Sequence, residues 1–244
     1  YKPPFPAAGS EAKFLPAPSK PTPSPEIRGL AETYAKARGI PYKPAQRYAP
    51  INPDLARKLA DFYESAKHSP EDPAVKASYK ALVDETLAQL QSIRDAGYSL
   101  ELFTGEGEPY KSSADAISDL RDNKHLFVLK TEGNFGGASD NPLLASSGVE
   151  GLPTLNDVFR GVHDFFGHGK EGYQFGPRGE FNAWRAHSEM YSPEAQGALA
   201  AETLAQNSWV NFGKHLEGQD IPPRERPFAE QKTVLIPNPD KPEL

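Results

Sequence analysis

Cysteine is absent from the 244 residues of this chain. Its absence excludes disulfides, thiolate metal sites and a cysteine nucleophile. Any metal centre would therefore have to use imidazole and carboxylate ligands, which suit Zn or Fe(II).

The chain also lacks a run of about 18 apolar residues, the length that a transmembrane helix needs, and it shows no apolar signal core. Basic residues are not in excess either, since Lys and Arg number 27 against 33 Asp and Glu, for a net charge of −6. Proteins that bind phosphate backbones usually carry a basic patch. We therefore expect a cytoplasmic protein that binds neither a membrane nor nucleic acid, with its oligomeric state left open.

Proline, in contrast, is abundant, with 25 residues that concentrate towards the two ends. Residues 1–27 combine many prolines with few large apolar side chains, a composition typical of an extended arm or linker. Residues 28–244 are predicted to form a single, mostly helical metal-binding domain, because this length suffices for one large core.

Two helix starts are indicated by a capping residue followed by proline, at Asn52-Pro53 and at Asp72-Pro73. Apolar residues then recur with the period of 3.6 residues expected of amphipathic helices. Thr154 is predicted to cap a further helix.

Residues 98–103 and 125–129 have strand character, and we expect them to pair in a small antiparallel sheet. Residues 131–151 are rich in Gly, Ser and Asn, which indicates a long loop of the kind that often forms a lid. The predicted fold class is α+β, mostly α, with a helical catalytic core beside a small sheet.

The segment His163-Asp164-Phe165-Phe166-Gly167-His168 ends the helix that Thr154 begins. On an ideal α-helix, residues five apart point about 140° away from each other. Gly167 would let the helix end or loosen there and turn His168 back towards His163. We predict that the two histidines bind one metal ion, with Asp164 as a catalytic acid or base. The alternative is two unrelated histidines, one capping a helix and one in the core.

Glu202 is the predicted third ligand. It lies in an otherwise apolar helical stretch, where a lone carboxylate is unfavourable unless it is paired or metal-bound. An ion pair with Arg160 or Arg185 is the alternative.

Glu180 and His187 are seven residues apart, on one helix face with Trp184 between them. We predict that these two residues take part in catalysis by orienting the ligands, because ligating histidines usually donate their other nitrogen to a neighbouring group. Ligation of a second metal and a solvated helix face are the alternatives. Trp184, with the amides of Gln206 and Asn207, is predicted to bind the substrate.

The run from His163 to His168, followed at a helical distance by Glu202, resembles the iron site of the pterin-dependent aromatic amino acid hydroxylases. That family has a His-(Glu/Asp)-x-x-Gly-His motif and a glutamate from a later helix, and the resemblance covers residues 158–213. It implies a hydroxylase-like fold with His163, His168 and Glu202 on Fe(II), and a pterin or another reductant. No upstream segment matches the family's pterin-binding part. Residues 182–187 also resemble an uncharacterised domain of phage and bacterial genomes, which names no function.

The leading hypothesis is a non-haem Fe(II)-dependent oxygenase, a hydroxylase or monooxygenase that acts with dioxygen on an aromatic or other small-molecule substrate. A second hypothesis is a Zn-dependent hydrolase with Asp164 or Glu180 as general base. A third is a structural or interaction protein, related to phage proteins, in which the histidines only pack.

Overall fold

The computed structural model describes residues 21–44, 48–133, 135–137, 140–222 and 225–237. The helices in these ranges are α1 Pro25–Ala37, α2 Pro53–Ser65, α3 Pro73–Asp95, α4 Ser113–Asp122, α5 Leu155–His163, α6 Pro177–Ser188, α7 Gln196–Ala200 and α8 Gln206–Phe212. The strands are β1 Ser99–Phe103, β2 His125–Leu129, β3 Ser146–Val149 and β4 Leu152–Thr154. The predicted α+β, mostly helical class is confirmed. None of the helices in the described ranges is long and apolar enough to cross a membrane.

Helix α1 was not predicted. It begins at Pro25 because the Ser24 side chain accepts a hydrogen bond from the Ile27 backbone N–H and proline occupies the first helical position. Residues 25–27 of the predicted arm, residues 1–27, therefore belong to α1, and residues 1–20 lie outside the described residues.

The predicted starts of α2 and α3 are confirmed. The side chains of Asn52 and Asp72 each accept hydrogen bonds from two backbone N–H groups of the first helical turn. Helix α3 is the longest, and it packs against both α5 and α7. Its buried residues, such as Tyr79 and Leu82, contribute to the hydrophobic core that supports the later helices.

Strands β1 and β2 pair as predicted, but they run parallel, from Ser99 opposite His125 to Phe103 opposite Leu129. The antiparallel prediction for this pair is wrong because α4 connects the two strands as a crossover, and a crossover returns the chain in the same direction. An antiparallel pair does form between β3 and β4. Strand β3 lies within the predicted loop at residues 131–151 and β4 follows directly after it, so that loop is shorter than expected.

Helix α5 lies close against the parallel strands. A Cβ atom on Gly161 would be 2.8 Å from Val128 Cγ2 and 3.0 Å from Leu100 Cδ1, so only glycine permits this approach. The start of α5 is fixed by a capping box in which Thr154 and Asp157 each bind the other's backbone N–H. The end of α5, where His163 lies, is therefore held in place by the sheet and by the cap.

Candidate metal centre

His163 and His168 are joined by a π-helical turn. The chain continues as a helix after α5 through Asp164–Gly169, and the backbone N–H of Lys170 donates to the Phe165 carbonyl oxygen at 3.0 Å, the i to i+5 bond of a π-helix. Residues five apart in such a turn lie above one another, as residues four apart do in an α-helix. The two imidazoles do approach each other as predicted. The helix does not end at Gly167, but it loosens into a π-helical turn that contains this glycine, which was the other form of the prediction.

The absence of a side chain at Gly167 also matters for packing in the site. A Cβ atom there would lie 3.2 Å from the His163 Cε1 atom, and equally close to the Cβ and carbonyl oxygen of Ala183 on α6. The missing side chain therefore leaves space for the His163 ring and for the close approach of α6.

Glu180, in the first turn of α6, supplies the carboxylate nearest to the two imidazoles. Its Oε2 atom lies 3.2 Å from His168 Nε2 and 3.7 Å from His163 Nε2. One possible ligand atom from each of the three residues lies within 4.8 Å of the others, and the described part of the chain contains no second group of this kind. The position at a helix N-terminus also favours a negative charge.

The His163 Nε2 atom is the clearest sign that a ligand is expected here. It is buried and makes no hydrogen bond, because 3.7 Å to Glu180 is too long for one. His168 is 1% exposed, and the Glu180 side chain is 19% exposed. A buried polar nitrogen without a partner is unfavourable, and a metal ion between the three side chains would satisfy it. The residues present therefore fit a metal ion.

The other nitrogen of each imidazole already has a partner. His168 Nδ1 donates to the carbonyl oxygen of Tyr173 at 3.1 Å, which leaves its Nε2 for a ligand. His163 Nδ1 lies 3.1 Å from Nδ1 of His187. His187, which was predicted to orient a ligand, thus contacts the ring nitrogen of His163 on the side away from Glu180.

The site is strongly polarised. Burial disfavours a charged His168, but the Glu180 carboxylate outweighs burial and raises the pKa of His168. Burial likewise disfavours a charged Glu180, but the imidazoles of His168 and His163 outweigh it and lower the pKa of that carboxyl. Burial raises the pKa of Asp164, despite the opposite effect of the same imidazoles. The contact between His168 and Glu180 therefore favours a proton at the place where a metal cation would bind.

Glu202, the predicted third ligand, lies elsewhere. It belongs to a second π-helical turn, Ala201–Ala205, and is buried. Its Oε1 atom accepts hydrogen bonds from Tyr79 Oη at 2.6 Å and Asn141 Nδ2 at 3.1 Å, and its Oε2 atom accepts one from Gln206 Nε2 at 2.7 Å. These neutral donors, rather than the predicted metal or an arginine, are its hydrogen-bond partners. Glu180 lies beside the two imidazoles instead, because α6 packs directly against the histidine-bearing turn.

A cavity of about 170 Å³ opens beside the three-residue group. Its acidic and basic lining residues are His163, Asp164, Glu180, Glu202 and Arg160. Five aromatic residues also line the cavity, namely Tyr110, Phe127, Phe159, Phe175 and Phe228. This cavity is large enough for a small molecule to reach the His163 and Glu180 side chains.

The predicted substrate-binding residues separate into two groups. Gln206 and Asn207 line the cavity. Trp184 does not, and instead packs in the core with its ring 5.9 Å from the Phe181 ring. Trp184 lies one helical turn, about 6 Å, beyond Glu180 along α6, which removes it from the cavity.

Sequence reasoning gave Glu180 a supporting role and missed its place beside the imidazoles. The available signal was its position in a first helical turn directly after Gly176-Pro177, where a carboxylate is favoured. It also missed Gln89, whose side chain contacts His187, because nothing in the sequence around Gln89 marks it.

No family model, no curated protein and no solved structure matches this chain.

Proposed function

We propose that the protein is a non-haem Fe(II)-dependent oxygenase that hydroxylates a small-molecule substrate, with His163, His168 and Glu180 as the metal ligands. The observation that carries the proposal is the buried His163 Nε2 atom, which has no hydrogen-bond partner and faces His168 and Glu180 beside a cavity. Two histidines and one carboxylate with open positions are the ligand set of such oxygenases.

Bound Fe(II) would supply the activation of dioxygen at the open positions. The chain's own residues bind and orient the substrate. The aromatic lining residues, such as Phe127 and Phe159, would pack against an apolar or aromatic ring, while Gln206 and Asn207 offer hydrogen bonds to a polar group. Asp164 can hold a proton at its carboxyl group inside the same cavity, because burial raises its pKa.

The lining of the cavity limits the substrate class. Asp164, Glu180 and Glu202 are three carboxyl groups beside the guanidinium of Arg160. Burial raises the pKa of Asp164 and of Glu202, which lowers the tendency of both groups to carry a charge. A substrate without a net charge needs no charged partner in this partly buried site. We therefore propose a neutral substrate with an aromatic or apolar body.

A Zn-dependent hydrolase is the second candidate, because zinc hydrolases also use two histidines and a glutamate. The observation that favours it is Asp164, a carboxyl group in the same cavity that could act as general base on a metal-bound water. Glu180, the other predicted base, would then be a ligand.

Metal analysis and oxygen uptake test the proposal. Protein made in iron-replete medium should hold one iron ion per chain, and the Fe(II) form with nitric oxide should give the electron paramagnetic resonance signal of a non-haem iron nitrosyl. It should also consume oxygen with ascorbate or a tetrahydropterin and a panel of neutral aromatic compounds. His163→Ala should lose the iron, whereas His68→Ala, which changes a partly exposed histidine paired with Asp140, should keep it.

The other outcomes reject the oxygenase. Protein that holds only zinc, consumes no oxygen and cleaves nitrophenyl esters would be a hydrolase. Protein that binds neither metal would be a non-catalytic protein in which the histidines pack.

A further inference from the structure

Gln89 and His187 form a chain of hydrogen bonds behind His163. Gln89 lies on α3 and His187 on α6, and both side chains are fully buried. The Gln89 Oε1 atom lies 2.8 Å from His187 Nε2, and the His187 Nδ1 atom lies 3.1 Å from His163 Nδ1. Three side chains from three helices are thus connected in a line that ends at the metal group.

The donor-to-acceptor direction of these hydrogen bonds is fixed at the Gln89 end. Gln89 Nε2 donates to the carbonyl oxygen of Met190 at 3.4 Å, and a carbonyl oxygen can only accept. The reverse orientation of the Gln89 amide would set two acceptor oxygens against each other. The Gln89 oxygen therefore faces His187, so the Nε2 atom of His187 carries the hydrogen. In a neutral ring the Nδ1 atom of His187 then holds a lone pair.

The contact between His187 and His163 then determines which nitrogen of His163 carries the hydrogen. Two Nδ1 atoms that face each other need one donor and one acceptor, so His163 carries its hydrogen on Nδ1. The Nε2 atom of neutral His163 is then a lone pair facing His168 and Glu180. The Glu180 oxygen lies 3.7 Å from Nε2, which is too far for a hydrogen bond that would hold a hydrogen on that atom. The tautomer of His163 is therefore set from the Gln89 end of the chain.

We infer that Gln89 and His187 are positioning residues that hold His163 in the tautomer whose Nε2 atom can bind a metal ion. The inference rests on the proposed metal centre and deepens it. The backbone carbonyl of Tyr173 fixes the tautomer of His168 with one hydrogen bond. His163 instead depends on a side chain of α3, the helix that packs against α5. Groups of this kind behind a metal ligand commonly change metal affinity by about 10- to 100-fold when they are mutated.

The tautomers can be measured directly in the metal-free protein. Long-range proton–nitrogen NMR spectra of histidine-labelled protein should show His163 with hydrogen on Nδ1 and His187 with hydrogen on Nε2. Gln89→Leu removes the acceptor oxygen at similar volume, so His187 can donate from Nδ1 and His163 should shift towards the Nε2–H form. The affinity for Zn²⁺, measured by calorimetry, should fall by about 10- to 100-fold.

Gln89→Glu should restore both readouts. A buried carboxyl group tends to be protonated, and its carbonyl oxygen would face His187 while its hydroxyl donates to Met190. Thr86→Val is the matched control, because it removes another buried polar group of α3 whose hydroxyl contacts Tyr191 Oη, not His187. This variant should bind Zn²⁺ as the unchanged protein does.

Two results would overturn the inference. One is an Nε2–H tautomer of His163 in the unchanged, metal-free protein, which can be seen even if Gln89→Leu fails to fold. The other is a folded Gln89→Leu variant with unaltered Zn²⁺ affinity. If the expected tautomers are present and Zn²⁺ does not bind the unchanged protein, the hydrogen-bond chain stands and the proposed function fails.

Discussion

The Nε2 atom of His168 lies 3.2 Å from the Oε2 atom of Glu180, and the histidine is almost completely buried. Each group stabilises the charged form of the other, which raises the pKa of His168 and lowers that of Glu180. The same two atoms, with the unpartnered Nε2 atom of His163, would bind a metal ion once the proton leaves. Ligand assignment, pH dependence and metal binding are therefore linked at this one contact.

Substituting the two glutamates separately distinguishes the ligands. Glu180→Gln should reduce metal affinity by at least about 10- to 100-fold, because it replaces the only carboxylate in the three-residue group. Glu202→Gln should keep the metal, since its carboxylate binds Tyr79, Asn141 and Gln206. Calorimetric titration with Zn²⁺ measures the metal affinity of both variants. Loss of binding in Glu202→Gln alone would identify Glu202, not Glu180, as the carboxylate ligand.

Glu180→Gln should also lower the pKa of His168 in the metal-free protein. Burial opposes the charged imidazole, and Glu180 is the main group that outweighs it, so burial should dominate in the variant. NMR titration of the His168 ring protons provides the measurement. Equal pKa values in the two proteins would show that the carboxylate does not act on this ring.

The same contact predicts how stability depends on pH. The folded pKa of His168 is raised above 6.5, so its contribution is fully present below pH 6.5 and is lost as the pH rises through the folded pKa. The difference in unfolding free energy between the metal-free protein and Glu180→Gln should therefore shrink as the pH rises above 6.5. The buried His187, whose pKa is lowered by burial, acts with the opposite sign, but it is present in both proteins and cancels in the difference. Urea unfolding at several pH values measures this, and a constant difference would contradict it.

Gly167→Ala should destabilise both the fold and the site. The added methyl group would lie 3.2 Å from His163 and from Ala183, closer than ordinary van der Waals contact, and overpacking of this kind costs about 1–3 kcal/mol. Gly29→Ala is the control, because nothing lies within 4 Å of its Cβ position in α1. That change should stabilise the protein by up to about 1 kcal/mol, through helix propensity. Urea unfolding compares the two, and a Gly167→Ala protein of unchanged stability would contradict the described packing.

Local signals in the sequence were sufficient for the helix starts. Asn52, Asp72 and Thr154 act as caps because each needs only the next three residues to do so. The pairing of β1 with β2 was also predictable from their alternation. Its parallel direction was not, because it depends on the path of α4 between the strands.

The histidine pair was predictable, but its geometry and its carboxylate were not. The π-helical turn that aligns His163 with His168 arises where the chain packs against α6, a contact that residue spacing does not reveal. Glu180 and Glu202 both lie in helical segments near apolar residues, so composition does not distinguish them. The orientation of α6 and the donors of Tyr79 and Asn141 decide between them, and these come from distant parts of the chain.

Anomalous diffraction from crystals grown with Zn²⁺ or Fe²⁺ tests the central claim most directly. The metal centre predicts one strong peak, about 2.0–2.2 Å from the Nε2 atoms of His163 and His168 and from a Glu180 carboxylate oxygen. No peak at this group, or a peak bound by Glu202 in place of Glu180, would contradict it.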